Sequence, residues 1–312
     1  MAFPVFDLAA FEASRGTDRA RRAAALDRTC RKTGFLLLTG HGVPDAVIAA
    51  QWAAVSAFFD LPADRKAQVA APYPGYPYGW LGPDKEALAA TRGEITPPDL
   101  KESFNGGPLS VPEGIADPEA YAFCYQPTLW PEIDRFRAAW EAYYRAMEAL
   151  AGRVMAGFAE ALGLEAGFFA PFIGRPVSAL RALAYPPTGA HIEARQQRAG
   201  AHSDYGSLTI LLPQAGSSGL QIHRGGGWVD VPAQDGAFVI NIGDLMARWT
   251  ADRWVSTLHR VIARPGQPRR LSLAFFHQPD WEAEITPLDG SDAYPPVRSG
   301  PYLMEKFRST SS

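Results

Sequence analysis

The chain predicts an α+β fold, a β-sandwich or jelly roll with helices from the first half covering one face. Three observations predict it. Beyond residue 175, short apolar runs recur between Gly and Pro punctuation, the pattern of strands joined by tight turns. Before it, apolar residues recur at alternating steps of three and four, which is helical. Of the 312 residues, 47% are hydrophobic and 20% charged, a balance that fills a sizeable core.

The elements follow in order. Phe3 to Leu8 reads as a short strand. Asp18 to Thr33 reads as a helix rich in Ala and Arg, ending near Gly34. Phe35 to Leu38 is continuously apolar, as in a buried strand, and His41-Gly42-Val43-Pro44 is a turn. A second helix runs from about Asp45 to Phe59, before Leu61-Pro62, where proline disfavours further helix. Residues 71 to 110 are dense in Pro, Gly and aromatics, a long irregular segment of the kind that serves a function. Pro131 is expected to open a long helix carrying Ile133, Phe136, Trp140, Tyr144, Met147, Leu150, Val154, Phe158 and Leu162, with Gly163 as terminator. Strands are expected at Leu180 to Tyr185, Gly206 to Leu212, Gly219 to His223, Trp228 to Val231, Ala237 to Ile242, Ser256 to Ala263 and Leu271 to His277. Gly225-Gly226-Gly227 marks a hairpin and Gly243-Asp244 a turn. With no repeat or low-complexity linker, residues 1–312 read as a single domain. It divides into a helix-rich region (1–174), a jelly-roll core (175–285) and a C-terminal segment (286–312).

A net charge of -3 without a long basic run argues against nucleic acid or an anionic membrane as partner. The start lacks a basic segment followed by an apolar one, and no apolar run reaches membrane-spanning length. Cys30 and Cys124 are too few for a disulfide framework, so a cytoplasmic, reducing setting is expected.

The chemistry concentrates in two apolar stretches. His202 and Asp204, two apart on a strand, project to one face and can touch one metal. Alone the pair carries little. His259 adds a second imidazole on a strand-like run, although a histidine on an apolar strand is more often a core residue. Two imidazoles and one carboxylate hold Fe(II) on one face and leave the other open. Arg270 and Ser272, again two apart, offer a planar fork and a hydroxyl to a carboxylate, while Arg269 turns to the opposite face. The bland reading of that pair is a surface ion pair beside a strand serine.

Several segments together carry a family resemblance. They are Pro4-Val5-Phe6-Asp7-Leu8, Thr33-Gly34-Phe35, His41-Gly42-Val43-Pro44, Tyr185-Pro186-Pro187, His202-Ser203-Asp204-Tyr205-Gly206, Gly219-Leu220-Gln221-Ile222, Asn241-Ile242-Gly243-Asp244, His259-Arg260-Val261 and Arg270-Leu271-Ser272 with Phe275-Phe276. In that order they resemble the isopenicillin N synthase-like iron(II)/2-oxoglutarate-dependent oxygenases over nearly the whole chain. The resemblance implies a double-stranded β-helix (jelly-roll) core with N-terminal helices packed on one face. It implies His202, Asp204 and His259 as iron ligands, Arg270 and Ser272 on the remote carboxylate of 2-oxoglutarate, and Tyr185 near the co-substrate. Some relatives carry Asn two places before that tyrosine; this chain carries Leu183.

The function so implied is an Fe(II)/2-oxoglutarate-dependent dioxygenase that uses O2, hydroxylates a small organic molecule and releases succinate and CO2. The alternatives are an Fe(II)/O2 oxidase without 2-oxoglutarate, an ethylene-forming decomposition of 2-oxoglutarate, a zinc-binding jelly-roll hydrolase and a non-catalytic binding module. For the substrate, Tyr76, Tyr78, Trp80, Lys101, Ser103, Phe104 and His191 are candidates near the mouth, with Arg181, Arg195 or Lys101 as anchors for an acid. The charged stretch Gly189 to Arg198 reads as a solvated loop or a substrate lid. His41, His223 and His277 are expected to be structural, and Asp244 to fix a turn.

Overall fold

The computed structural model describes residues 3–113, 115 and 117–308. The first half contributes β1 (Val5–Asp7), α1 (Leu8–Ala13), α2 (Gly16–Lys32), β2 (Phe35–Thr39), α3 (Asp45–Phe59), α4 (Ala63–Ala67), β3 (Gly79–Leu81), β4 (Glu102–Gly106), α5 (Pro118–Cys124) and α6 (Phe136–Leu162). The second half contributes β5 (Ala179–Tyr185), β6 (Ala199–His202), β7 (Leu208–Pro213), β8 (Leu220–Arg224), β9 (Gly227–Asp230), β10 (Phe238–Ile242), α7 (Asp244–Trp249), β11 (His259–Val261), β12 (Arg270–His277), β13 (Glu284–Ile285), β14 (Val297–Arg298) and α8 (Ser299–Arg308). Among the described residues, no helix is long and apolar enough to cross a membrane.

The large sheet runs β1-β2-β10-β7-β12-β5-β4-β3, and the small one β6-β11-β8-β9. Only the β1–β2 pair is parallel in these two sheets. The side-chain period of two explains the layering. Leu36 and Leu38 of β2 enter the core under the helices, with Trp140, Tyr144 and Met147 of α6 and Ile210, Ile240 and Leu273 of the sheet. Phe35 and Leu37 point the other way, into a second core with Val239, Ala274, Ile222 and Val261 between the two sheets. A strand buried on both faces reads as an unbroken apolar run, which is why Phe35 to Leu38 is legible in the sequence. The two sheets face each other as a jelly roll, and α2, α3 and α6 pack together on the outer face of the larger one.

Three expectations need correction. The long helix starts at Phe136, not at Pro131. Arg135 adopts a left-handed conformation (φ 59°), and residues 131–135 form turns closed by Ile133 N–H to Pro131 O and Phe136 N–H to Ile133 O. Gly163 does end it, with φ 82°. Residues 71–110 are not irregular throughout, because β3 and β4 extend the large sheet. Their pattern is hidden because β4 puts polar Ser103 and Asn105 on the inner face. Gly243-Asp244 is the start of α7 rather than a simple turn. The Gly225-Gly226 hairpin stands as expected: both residues are left-handed (φ 59° and 81°), as a tight β8–β9 turn of the primed type requires.

Candidate metal centre

His202 ends β6 and His259 begins β11, and the two are direct partners in the antiparallel pairing. Their rings therefore lie side by side, with centroids 4.3 Å apart. Asp204 Oδ1 is 3.8 Å from His202 Nε2 and 3.6 Å from His259 Nε2. The three ligand atoms lie within 4.8 Å of one another, the only such cluster of His, Cys, Asp or Glu among the described residues. His202 Nδ1 lies 2.7 Å from Gly200 O and His259 Nδ1 3.1 Å from Thr257 O. A carbonyl only accepts, so each Nδ1 carries its proton and each Nε2 keeps its lone pair for a metal.

Asp204 does not share the strand. β6 stops at His202, so the same-face argument reaches only that residue. A pinned loop brings Asp204 in instead. The first N–H groups of α7 donate to it, Asp244 N–H to Asp204 O at 2.7 Å and Leu245 N–H to Tyr205 O at 3.1 Å. The two backbones approach so closely that a Cβ on Gly243 would lie 2.1 Å from Gly206 O. The carboxylate is fixed from the large sheet. Asn241 Nδ2 donates to Oδ2 at 2.7 Å and Thr209 Oγ1 donates to it at 2.5 Å, leaving Oδ1 for a cation.

The electrostatics favour a metal over protons. Burial, then the neighbouring His259, pulls the His202 pKa down to about 3, so the ring is neutral at pH 7. Burial alone would raise the Asp204 pKa. The two imidazoles and the Thr209 and Asn241 donors outweigh it and hold that pKa below the ordinary value.

On β12, Arg270 sits opposite Tyr185 and Ser272 opposite Leu183. The Arg270 guanidinium lies 5.0 Å from the Tyr185 ring centroid, and its Nε donates to Ser217 Oγ at 3.2 Å. Arg270 Nη1 and Ser272 Oγ are buried without a partner in the protein. Two orphaned donors beside a buried cation fit a carboxylate, which satisfies both and offsets the desolvation of the guanidinium. Arg269 turns to the other side and pairs with Asp60. Leu183 offers no hydrogen bond where some relatives have Asn.

The remaining candidates divide. Trp80 and Phe104 are register partners on the helix side of the sheet; Trp80 Nε1 donates to Glu102, and Phe104 packs on Phe58 and Phe136. Tyr78 is buried with its hydroxyl on Cys124 O, and Tyr76 donates to Pro127 O. His191 is exposed, and Arg195 pairs with Glu94 at the surface. Ser103 shares the inner face with Leu183 and Ser272. Lys101 is buried near the centre, close enough to His202 to disfavour its protonation. Asp244 bonds Ser203 and Lys306, away from the cluster. His41 packs on Phe238, His223 on Trp228, and His277 bonds Ser207.

Sequence reasoning missed the roles of Thr209, Asn241, Asp99, Glu86 and Arg198. Arg198 is not part of a solvated loop: it is 2% exposed, with its guanidinium on the carbonyls of Pro186 and Pro268. Asn241 had a signal, the Asn-Ile-Gly-Asp segment, but its partner emerges only once β10 and β7 are in register.

The model of the 2OG-Fe(II) oxygenase superfamily matches residues 176–279, and that of the N-terminal region of non-haem dioxygenases in morphine synthesis matches residues 3–133. Validamycin A dioxygenase of Streptomyces hygroscopicus subsp. limoneus is 35% identical over 97% of this chain and 85% of its own length. A full-length Neurospora crassa protein, solved in complex with alpha-KG and thymine, superposes with a TM-score of 0.86 at 28% identity, covering 99% of this chain and 97% of that one. A 2OG-Fe(II) oxygenase family protein from Caulobacter crescentus gives 0.83 at 30% identity, covering 98% of both chains. The chain belongs to the isopenicillin N synthase-like 2-oxoglutarate/Fe(II) oxygenases, enzymes whose cofactors are Fe(II), 2-oxoglutarate and O2.

Proposed function

We propose that this dioxygenase hydroxylates a small organic molecule, with His202, Asp204 and His259 holding Fe(II) and Arg270 and Ser272 holding the far carboxylate of 2-oxoglutarate beside Tyr185. The observation that carries the reading is the pairing of two features on facing sheets. Three ligand atoms converge within 4.8 Å, and two buried donors lack partners on the neighbouring strand wall. Fe(II) with 2-oxoglutarate and O2 supplies oxidation of a substrate C–H bond, with release of succinate and CO2.

The residues do the positioning. The Gly200 and Thr257 carbonyls fix both imidazoles in the ligating tautomer. Asn241 and Thr209 hold Asp204 so that one oxygen faces the metal. Arg270 and Ser272 orient the co-substrate, and apolar Phe35, Leu37, Val239 and Ala274 keep the space behind the centre dry. An oxidase that used no oxo-acid would need a carboxylate of its own substrate to meet Arg270 Nη1 and Ser272 Oγ. Thymine in the Neurospora crassa complex supports a ring-sized substrate for this chain too. Buried, unpaired Cys30 and Cys124 support a cytoplasmic setting.

A succinate-release screen with iron, ascorbate and a library of small metabolites tests the function. Substrate-stimulated succinate with a hydroxylated product is expected. Product without succinate would favour the oxidase.

A further inference from the structure

Four charged side chains meet on the inner face beside the metal centre. Lys101 Nζ lies 3.0 Å from Asp99 Oδ2 and 3.1 Å from Glu86 Oε2. Arg181 grips the same Glu86 carboxylate with both terminal nitrogens, at 3.2 and 3.1 Å, and donates from Nε to Asn105 Oδ1 at 2.5 Å. Register places the group. Asn105, Arg181 and Ala274 form one row across β4, β5 and β12, and Ser103, Leu183 and Ser272 form the next. Lys101 precedes β4 on that same face, and Asp99 takes the N–H of Gly200, whose carbonyl fixes His202.

The two acids are not equivalent. Asp99 is locked: it also accepts from Leu88 N–H at 3.1 Å and is 2% exposed. Among the described residues, the only side-chain partners of the Glu86 carboxylate are the two cations, and the side chain keeps 22% exposure. Burial alone would raise the Glu86 pKa, but Arg181 and Lys101 outweigh it and bring it down to about 2, so it is charged at neutral pH. An enclosed fork and ammonium aimed at one point form an anion position, and a residue of the chain itself fills it.

We propose that Glu86 is a specificity-determining residue: its carboxylate occupies the anion position between Lys101 and Arg181, so the pocket accepts an uncharged polar substrate and refuses a free carboxylate. This rests on the oxygenase reading of the cavity. It replaces the expectation that Lys101 or Arg181 anchors an acid.

Glu86→Ala vacates the position without removing either cation. Calorimetry with propionate and propionamide on metal-free Arg270→Ala protein, with and without Glu86→Ala, reads it directly, because that background removes the other guanidinium open to a carboxylate. With Glu86→Ala, propionate is expected to bind at least tenfold tighter than propionamide; with Glu86 in place, propionate is expected not to bind. Equal affinities with Glu86→Ala, or propionate binding with Glu86 in place, would overturn the proposal. This arm needs neither iron nor 2-oxoglutarate, so its failure is separate from failure of the oxygenase reading. Where Glu86→Ala does not fold, Glu86→Gln keeps the volume and removes the charge. In a succinate-release screen of matched acids and amides, wild type is expected to turn over uncharged members, and Glu86→Gln to shift at least tenfold toward acids. Turnover of acids in preference to amides by wild type would contradict the assignment.

Discussion

Asn241 donates to Asp204 Oδ2 at 2.7 Å, and Thr209, its register partner on the next strand, donates to the same oxygen. Two adjacent strands of the large sheet thus orient a carboxylate that a loop carries in from the small sheet. Asn241→Leu removes a donor without adding a charge. Loss of such a support typically weakens metal binding by about 10–100-fold. Anaerobic Fe(II) titration of the folded variant measures it, and unchanged affinity would remove Asn241 from the positioning shell.

Gly243 and Gly206 set the depth of the same loop. A Cβ on Gly243 meets Gly206 O at 2.1 Å, backbone against backbone, so no rotamer relieves it. Gly243→Ala should cost about 1–3 kcal/mol of stability, the usual range for overpacking. It should also weaken metal binding, because the displaced loop carries Asp204. Urea unfolding gives the first quantity and metal titration the second. Wild-type values for both would show that the loop position is not critical.

Arg270→Ala should weaken 2-oxoglutarate binding by about 2–5 kcal/mol, as for truncation of one partner in a buried charge-assisted pair. Arg270→Lys keeps the charge but not the fork and should recover only part of that affinity. Calorimetry on the metal-loaded protein measures both. Wild-type affinity in the Ala variant would assign the co-substrate to other residues.

His277 supplies an acid-sensitive contribution. Burial brings its pKa from 6.5 to about 4. Between those values the unfolded chain binds the proton and the folded chain does not, so stability rises with pH. The contribution is complete above pH 6.5 and is lost as pH falls toward 4, on the order of 3 kcal/mol. His277→Gln should flatten the fall in unfolding free energy between pH 6.5 and 4. An unaltered slope would place the sensitivity elsewhere.

How much of this is legible in the sequence follows from which interactions are local. His259, Arg270 and Ser272 lie on strands whose apolar alternation shows in the sequence, so their placement can be reasoned. Asp204 groups with His202 as expected, but for a partly different reason, since the strand ends between them and α7 does the holding. The support from Asn241 and Thr209 depends on the register of β10 with β7, which no local pattern encodes. Lys101 is singled out in the sequence, but its partners Asp99 and Glu86 are hidden in a segment whose Pro and Gly content reads as irregular, and whose inner face is polar where a strand usually shows an apolar side. Arg198 reads as solvated charge because burial of a guanidinium depends on two distant proline carbonyls. The start of α6 is misplaced because Pro131 suits a first helical position, whereas the left-handed turn at Arg135 leaves no trace in hydrophobic periodicity.

Anomalous diffraction at the iron edge, from crystals soaked anaerobically with Fe(II) and 2-oxoglutarate, tests the central claim most directly. One iron is expected between His202 Nε2, Asp204 Oδ1 and His259 Nε2, with the far carboxylate of the keto-diacid on Arg270 Nη1 and Ser272 Oγ. Iron bound elsewhere, or a diacid seated away from that guanidinium, would contradict it.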